Sequence, residues 1–257
     1  AYPQGVQAKE FILPEELLEQ DCVISLSKMK THALERITGA VKNSYGFVYG
    51  FHKAKGHTQY PSADSFARML IDLNKCVAPK LYGMDGIVAM EGNGPGSGDP
   101  VPMNVLLMST DPVALDSVFS RLVYLKPEMV PTNYHGEKMG LGTWKEEEIT
   151  LLTPDGEISM AEAVKKYGNP AFNVDRTEVR KNIWTRMAGA LNIFQKKPYI
   201  EADKCVRCGI CVQSCPVPGK AVDFRKGKGK PPVYDYRKCI RCFCCQEMCP
   251  KKAIKVK

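Results

Sequence analysis

Two stretches, KCVRCGICVQSCP (204–216) and KCIRCFCCQEMCP (238–250), superimpose at an offset of 34 residues, with Lys, Arg, four Cys and Pro coinciding. Each reads C-x2-C-x2-C-x3-C-P, the bacterial-type spacing for a 4Fe-4S cluster. Three thiols so spaced reach three corners of a cubane from one tight loop, and the fourth, a helical turn onward, crosses to the other cluster. The expected ligand sets are Cys205, Cys208, Cys211 and Cys249 for one cluster, and Cys239, Cys242, Cys245 and Cys215 for the other. Zinc favours isolated groups of four thiolates or thiolates mixed with His, and no His lies in this segment. Cys244 is out of step, standing where the first run has Ile210. It reads as a small buried apolar residue beside the second cluster rather than as a ligand. Between the runs, AVDF (221–224) and PVYDY (232–236) read as short strands joined by the basic loop RKGKGKPP (225–232). Residues 198–257 are therefore expected to form a small α+β ferredoxin-like module.

The remaining composition fits a reducing compartment. Nine of the 11 cysteines lie between Cys205 and Cys249, spaced as thiolate ligands rather than as a disulfide framework. No run of about 18 apolar residues is present to span a bilayer. AYPQGVQAKE (1–10) has no apolar signal-peptide core. The expected location is cytoplasmic. Residues 201–257 carry 14 Lys and Arg against 5 Asp and Glu, whereas residues 1–200 are close to neutral. The basic residues surround the cysteines without interleaved aromatic platforms, so an acidic redox protein partner is expected and nucleic acid is not.

Residues 1–197 read as an α/β domain with a mainly parallel sheet and flanking helices. DCVISLS (21–27), LYGMDGIVAM (81–90) and NVLLMS (104–109) look like buried strands. SADSFARMLIDLNKC (62–76) puts Phe66, Met69, Leu70 and Leu73 on one helical face. DPVALDSVFSRLVYL (111–125) opens with Asp111 as N-cap and Pro112 at the first helical position. A further helix over about 175–194 is expected to link the two parts, with the boundary near 196–200.

Polar residues gather at the strand ends, where open α/β sheets bind ligands. After the first strand, Lys28, Lys30 and His32 share one side of an extended chain. GAVKNSYG (39–46) adds Lys42 and Asn43 on a short helix, and His57 follows. MEGNGPGSGDP (90–100) supplies Glu91 and a loop that includes Gly94 and Gly96, whose backbone N–H groups suit an anion. It is not a nucleotide fingerprint, because no G-x-G-x-x-G or G-K-[ST] occurs. Desolvation beside two lysines lowers the pKa of His32 unless an acid such as Glu91 or Asp116 offsets it.

SLSKMKTH, TGAVKNSYG, MEGNGPGSG, STDPVALDS and MGLG, in this order and followed by CIRCFCCQEMCP, resemble the iron-sulfur proteins that carry domain of unknown function 362. The resemblance covers residues 11–153 and 200–257. It implies a ferredoxin module with two 4Fe-4S clusters and nominates Lys30, His32, Lys42, Asn43, Glu91, Asp111 and Asp116 as site residues, without assigning a reaction. The CC pair at Cys244 is a feature of that family. Its members usually carry a longer segment before the position of Phe11, which implies a short form or an incomplete α/β domain here.

The expected function is relay of single electrons through two clusters to or from a partner or a site in the α/β domain. The alternative is a reductase that binds a small anionic substrate at Lys30, His32 and Lys42, with His32 or His57 as proton donor and Asp116 among the catalytic candidates. Asn43, Glu91, Gly94 and Gly96 are the substrate-binding candidates. A third reading uses His32 and His57 as ligands to another metal. The ligand sets predict about eight irons and about eight inorganic sulfides per chain, with Cys244→Ser leaving the count unchanged. Metal analysis and EPR of the reduced protein check both; loss of about four irons in that variant would make Cys244 a ligand.

Overall fold

The computed structural model of the chain describes residues 1–49, 52–178 and 197–256. After α1 (Glu15–Leu18), β1 (Ile24–His32) and β2 (Arg36–Thr38) form a tight hairpin. Helices α2 (Ala40–Asn43), α3 (His52–Gln59) and α4 (Ala63–Val77) then lead to β3 (Leu81–Glu91), followed directly by β4 (Asp99–Ser109). The chain continues through α5 (Pro112–Leu122), α6 (Pro131–Lys138), the small hairpin β5 (Leu151–Thr153) and β6 (Gly156–Ile158), and α7 (Met160–Tyr167).

The main sheet has the order β2-β1-β3-β4. The expected α/β architecture with flanking helices is present, and parallel pairing is confined to β1 and β3. Connection length explains this. Three helices lie between β1 and β3, enough chain for a crossover, whereas β3 reaches β4 through the loop 92–98 with no helix and must turn back antiparallel.

Two strands differ from their reading as fully buried. NVLLMS is the end of an edge strand, with Leu106 and Met108 67% and 68% exposed, and Leu26 of β1 is 74% exposed. Among the described residues nothing covers this face, so each strand alternates between a wet and a packed side. The packed side carries Met29, Tyr82, Met84 and Val105 against Leu115, Phe119 and Leu122 of α5.

The helices form where the pattern places them. Ser62 starts α4 with a capping box, and Phe66, Met69, Leu70 and Leu73 are buried. Burying each such side chain contributes about 1.5–3 kcal/mol. Asp111 caps α5, accepting from the Val113 and Ala114 N–H groups at 2.7 and 2.9 Å, and its second oxygen accepts from Thr143 N at 2.9 Å.

The C-terminal module is closed by antiparallel pairing of β7 (Pro198–Ile200) with β10 (Ile254–Val256). Inside it, α8 (Ile210–Gln213) and α9 (Cys244–Glu247) carry Cys211 and Cys245, the third cysteine of each four-cysteine pattern, and β8 (Val222–Asp223) pairs with β9 (Val233–Tyr234) as the hairpin between the runs. Cys211, Cys215, Val222, Cys245 and Ile254 share its core. The helix expected over 175–194 lies mostly outside the described residues; 175–178 are irregular. Among the described residues, no helix is long and apolar enough to cross a membrane.

Candidate functional site

Because β1 and β3 are parallel, His32 and Glu91 end their strands on the same side of the sheet. The β1–β2 turn folds back on His32, whose Nδ1 accepts from the Leu34 and Glu35 N–H groups at 3.2 and 3.1 Å. A ring nitrogen that accepts twice leaves the proton on Nε2 and makes a second proton unfavourable. Burial, then Lys42, His57 and Lys30, push the pKa of His32 well below the usual histidine value. Lys30 is half-buried on the same strand, whereas Lys28 lies on the exposed face paired with Asp85 at 2.6 Å.

Lys42 is the hub. The four-residue helix that carries it is fixed by Asp116, whose carboxylate accepts from Ala40 N at 2.5 Å and Val41 N at 3.1 Å. Burial lowers the pKa of Lys42, with Glu247 acting against that shift. Its ammonium biases His32, His57 and Glu35 in turn. His57, from α3, stacks on Phe66 with ring centroids 4.5 Å apart and meets the edge of Tyr45 at 5.5 Å. Burial and Lys42 push His57 down to about 3, and its Nδ1 has no hydrogen-bond partner. Glu35 is fully buried, neither carboxylate oxygen has a partner, and burial raises its pKa well above the usual carboxylate range.

Other candidates are engaged in the fold. Asp116 is the cap of α2, raised to about 7 by burial while its two N–H donors pull the other way. Asn43 donates to the Leu26 carbonyl at 3.1 Å, on a free stretch of the β1 edge. Glu91 accepts from Asn173 N at 2.8 Å. Gly94 packs against the Thr31 carbonyl, where any Cβ would collide.

The glycine loop holds the C-terminal module. Gln246 donates from Nε2 to the carbonyls of Asn93 at 2.8 Å and Gly94 at 3.0 Å. Asn93 Nδ2 donates to Ile254 O at 3.1 Å, and Lys252 donates to Gly98 O at 3.0 Å. A Cβ on Gly96 would stand 2.8 Å from the Glu247 carbonyl oxygen, so the close seating of α9 requires glycine there. This seating brings Cys244 and Glu247 within electrostatic reach of Lys42 and Tyr45.

The thiols line two separate cavities. Cys205, Cys208, Cys211 and Cys249 surround one, and Cys215, Cys239, Cys242 and Cys245 the other. Cys244 lines neither. Backbone N–H groups of Ala221 and Ala253 point at Cys215 and Cys249 Sγ, each at 3.3 Å, as suits thiolates holding an iron-sulfur cluster.

A module with thiol-lined cavities, seated on an α/β domain beside a cluster of buried polar side chains, defines an iron-sulfur protein of two parts. Residues 1–121 match the domain of unknown function DUF362, and residues 197–250 match the 4Fe-4S dicluster domain. The chain is an iron-sulfur protein that carries DUF362 ahead of a 4Fe-4S domain. It is similar to a thylakoid-associated protein of Synechocystis sp., 42% identical over 130 residues that make up 50% of this chain and 40% of that protein. The chain thus spans about two fifths of the length of this curated relative. No solved structure matches it.

Sequence reasoning missed Glu35, Tyr45 and Gln246. Tyr45 sits inside the quoted GAVKNSYG stretch, but nothing in the turn THALER (31–36) marks Glu35 as buried. The depressed pKa of His57 has a consequence for stability. Below the ordinary histidine pKa of about 6.5, the folded chain binds fewer protons than the unfolded one, so stability complete above that pH is lost as pH falls toward about 3. Urea titrations at about pH 6 and about pH 5 should show the wild type losing up to about 1.4 kcal/mol more than His57→Phe. Equal losses in the two proteins would contradict a buried neutral His57.

Proposed function

We propose that this chain is an electron-transfer protein in which two 4Fe-4S clusters relay single electrons between an acidic redox partner and the buried pocket around Lys42. The cysteine-held clusters would supply one-electron chemistry; the chain's own residues fix the two ends of the path. The observation that supports the reading is the seating of α9 on the glycine loop, which brings Glu247 and Cys244, the neighbour of Cys245 in the second set, within electrostatic reach of Lys42. At the other end, the basic loop between β8 and β9 is pinned to the first cysteine run by Arg207, which donates to Gly229 O at 3.2 Å. Lys226, Lys228 and Lys230 are exposed on that loop, while Arg241 is only half-exposed. The loop is therefore the docking face for an acidic partner, and the neutral α/β domain is the delivery end.

A second reading makes the pocket the site of a reduction. The unpartnered buried atoms of Glu35 and His57 beside Lys42 favour it. Buried polar atoms without partners are costly, and a bound polar ligand would satisfy them. The substrate would be a small anion, held by Lys42 and Lys30 with His32 Nε2–H as donor. Here Lys30→Ala and His32→Ala should slow reoxidation of the reduced protein by small anions while both clusters stay reducible; unchanged rates would leave the carrier reading alone.

The docking face predicts a salt effect. Reduction by an acidic redox protein should slow as ionic strength rises, and the triple variant Lys226→Glu, Lys228→Glu, Lys230→Glu should slow it about tenfold or more at low salt. Stopped-flow measurement of cluster bleaching reads this directly. A rate indifferent to salt and to the triple variant would leave the loop as solvated surface.

A further inference from the structure

We propose that Glu35 is the proton reserve of the pocket, a carboxylic acid kept neutral in the folded protein and coupled to the charge that arrives at the second cysteine set. The assignment rests on the proposed delivery of electrons to this pocket. Its basis is geometric. Glu35 is fully buried in the turn between β1 and β2, and neither of its oxygens has a hydrogen-bond partner. An ionised carboxylate in that state would carry the full penalty of an uncompensated buried charge, so the group sheds the charge by holding its proton.

The surroundings allow that proton to be used. Lys42 of α2 and Asp64 of α4 are the charged groups that act on Glu35. Asp64 is already turned to His135 of α6, with Oδ1 and Nε2 2.8 Å apart. His32 on β1 faces away in hydrogen-bonding terms, its Nδ1 taking the Glu35 backbone N–H rather than the side chain. Lys42 is left as the cation able to stabilise the carboxylate once the proton has gone. It is also the residue biased by Glu247 and Cys244 of α9, so one side chain senses both ends of the transfer.

Solvent comes close to the turn that carries Glu35, although the side chain itself is buried and does not line the cleft. A cleft of about 430 Å³ is lined by Thr31, His32, Arg36, Asn93, Gly94 and Asn173. His32 and Arg36 flank the turn that carries Glu35. In the reduction, a bound small anion accepts two electrons and two protons. The electrons come from the reduced acidic redox protein, and the clusters that the cysteines would hold would supply the one-electron chemistry. One O–H bond breaks at Glu35 and its proton bonds to the reacting atom, leaving a carboxylate beside the Lys42 ammonium. The second proton comes from water in the cleft and Glu35 is reprotonated by water, and the two hydroxide ions so formed pass to bulk solvent.

Reduced-minus-oxidised infrared difference spectroscopy of the whole chain, carrying its clusters, tests this without a substrate. At neutral pH the wild type should show a carboxylic-acid C=O band that moves on reduction and shifts down in D2O. The band should vanish in Glu35→Gln, reappear at a new position in Glu35→Asp, and persist in Asp64→Asn. A wild type with no such band, or a Glu35→Gln spectrum identical to it, would overturn the assignment. EPR of the same samples keeps the two ideas apart, because missing cluster signals in the wild type would overturn the relay on which the assignment rests.

Discussion

A buried side-chain amide lies at the centre of the contact that joins the two halves of this protein. Gln246 is fully buried, and its Nε2 bridges the Asn93 and Gly94 carbonyls. These carbonyls sit in the loop between β3 and β4, which is short enough to force the antiparallel turn and glycine-rich enough to let another backbone approach. Remove the bridge and the two carbonyls lose a buried donor, at a cost of about 1–3 kcal/mol each. More than stability depends on it. The same contact brings α9, with Cys244 and Glu247, within electrostatic reach of Lys42 in the buried polar cluster of β1, α2 and α3.

The pocket is expensive to maintain. Lys42, Glu35, His32 and His57 are all buried, and Glu35 and His57 leave polar atoms without partners. A core built for stability alone would place apolar side chains there, since buried ionic groups are often no more stabilising than well-packed hydrophobic ones. Burial disfavours charge on His32, His57, Glu35 and Lys42 alike, and on Lys42 Glu247 acts against that shift. Asp116 contributes by fixing the first turn of α2 rather than by facing the pocket. Such an arrangement suits a site where charge arrives and must be compensated.

The cysteine runs were legible because metal-ligand spacing is local: the offset repeat fixes which thiols share a loop, and the two cavities have the corresponding linings. Helices α4 and α5 were legible for the same reason, since capping residues and apolar periodicity lie within one element. The strands were harder. An apolar run such as NVLLMS reads the same whether one face or two are covered, and only tertiary structure shows Leu106 and Met108 to be wet. In the pocket, Lys30, His32, Lys42 and His57 came from their positions at strand ends and after them. Glu35 did not, because a glutamate in a turn looks solvated until the packing around it is known. The docking function of the glycine loop was equally hidden, since its partner Gln246 lies 153 residues away.

The central claim is that the second cysteine set, and not the first, faces the buried ammonium of Lys42. An EPR-monitored redox titration of Lys42→Met against wild type tests it most directly. A unit charge acting across ~10 Å at an effective dielectric of ~20 is worth ~1.7 kcal/mol, so losing the Lys42 charge should lower the midpoint potential of the nearer cluster by up to about 70 mV. The account predicts that shift in one cluster and almost none in the other. Equal shifts in both clusters, or none in either, would contradict it.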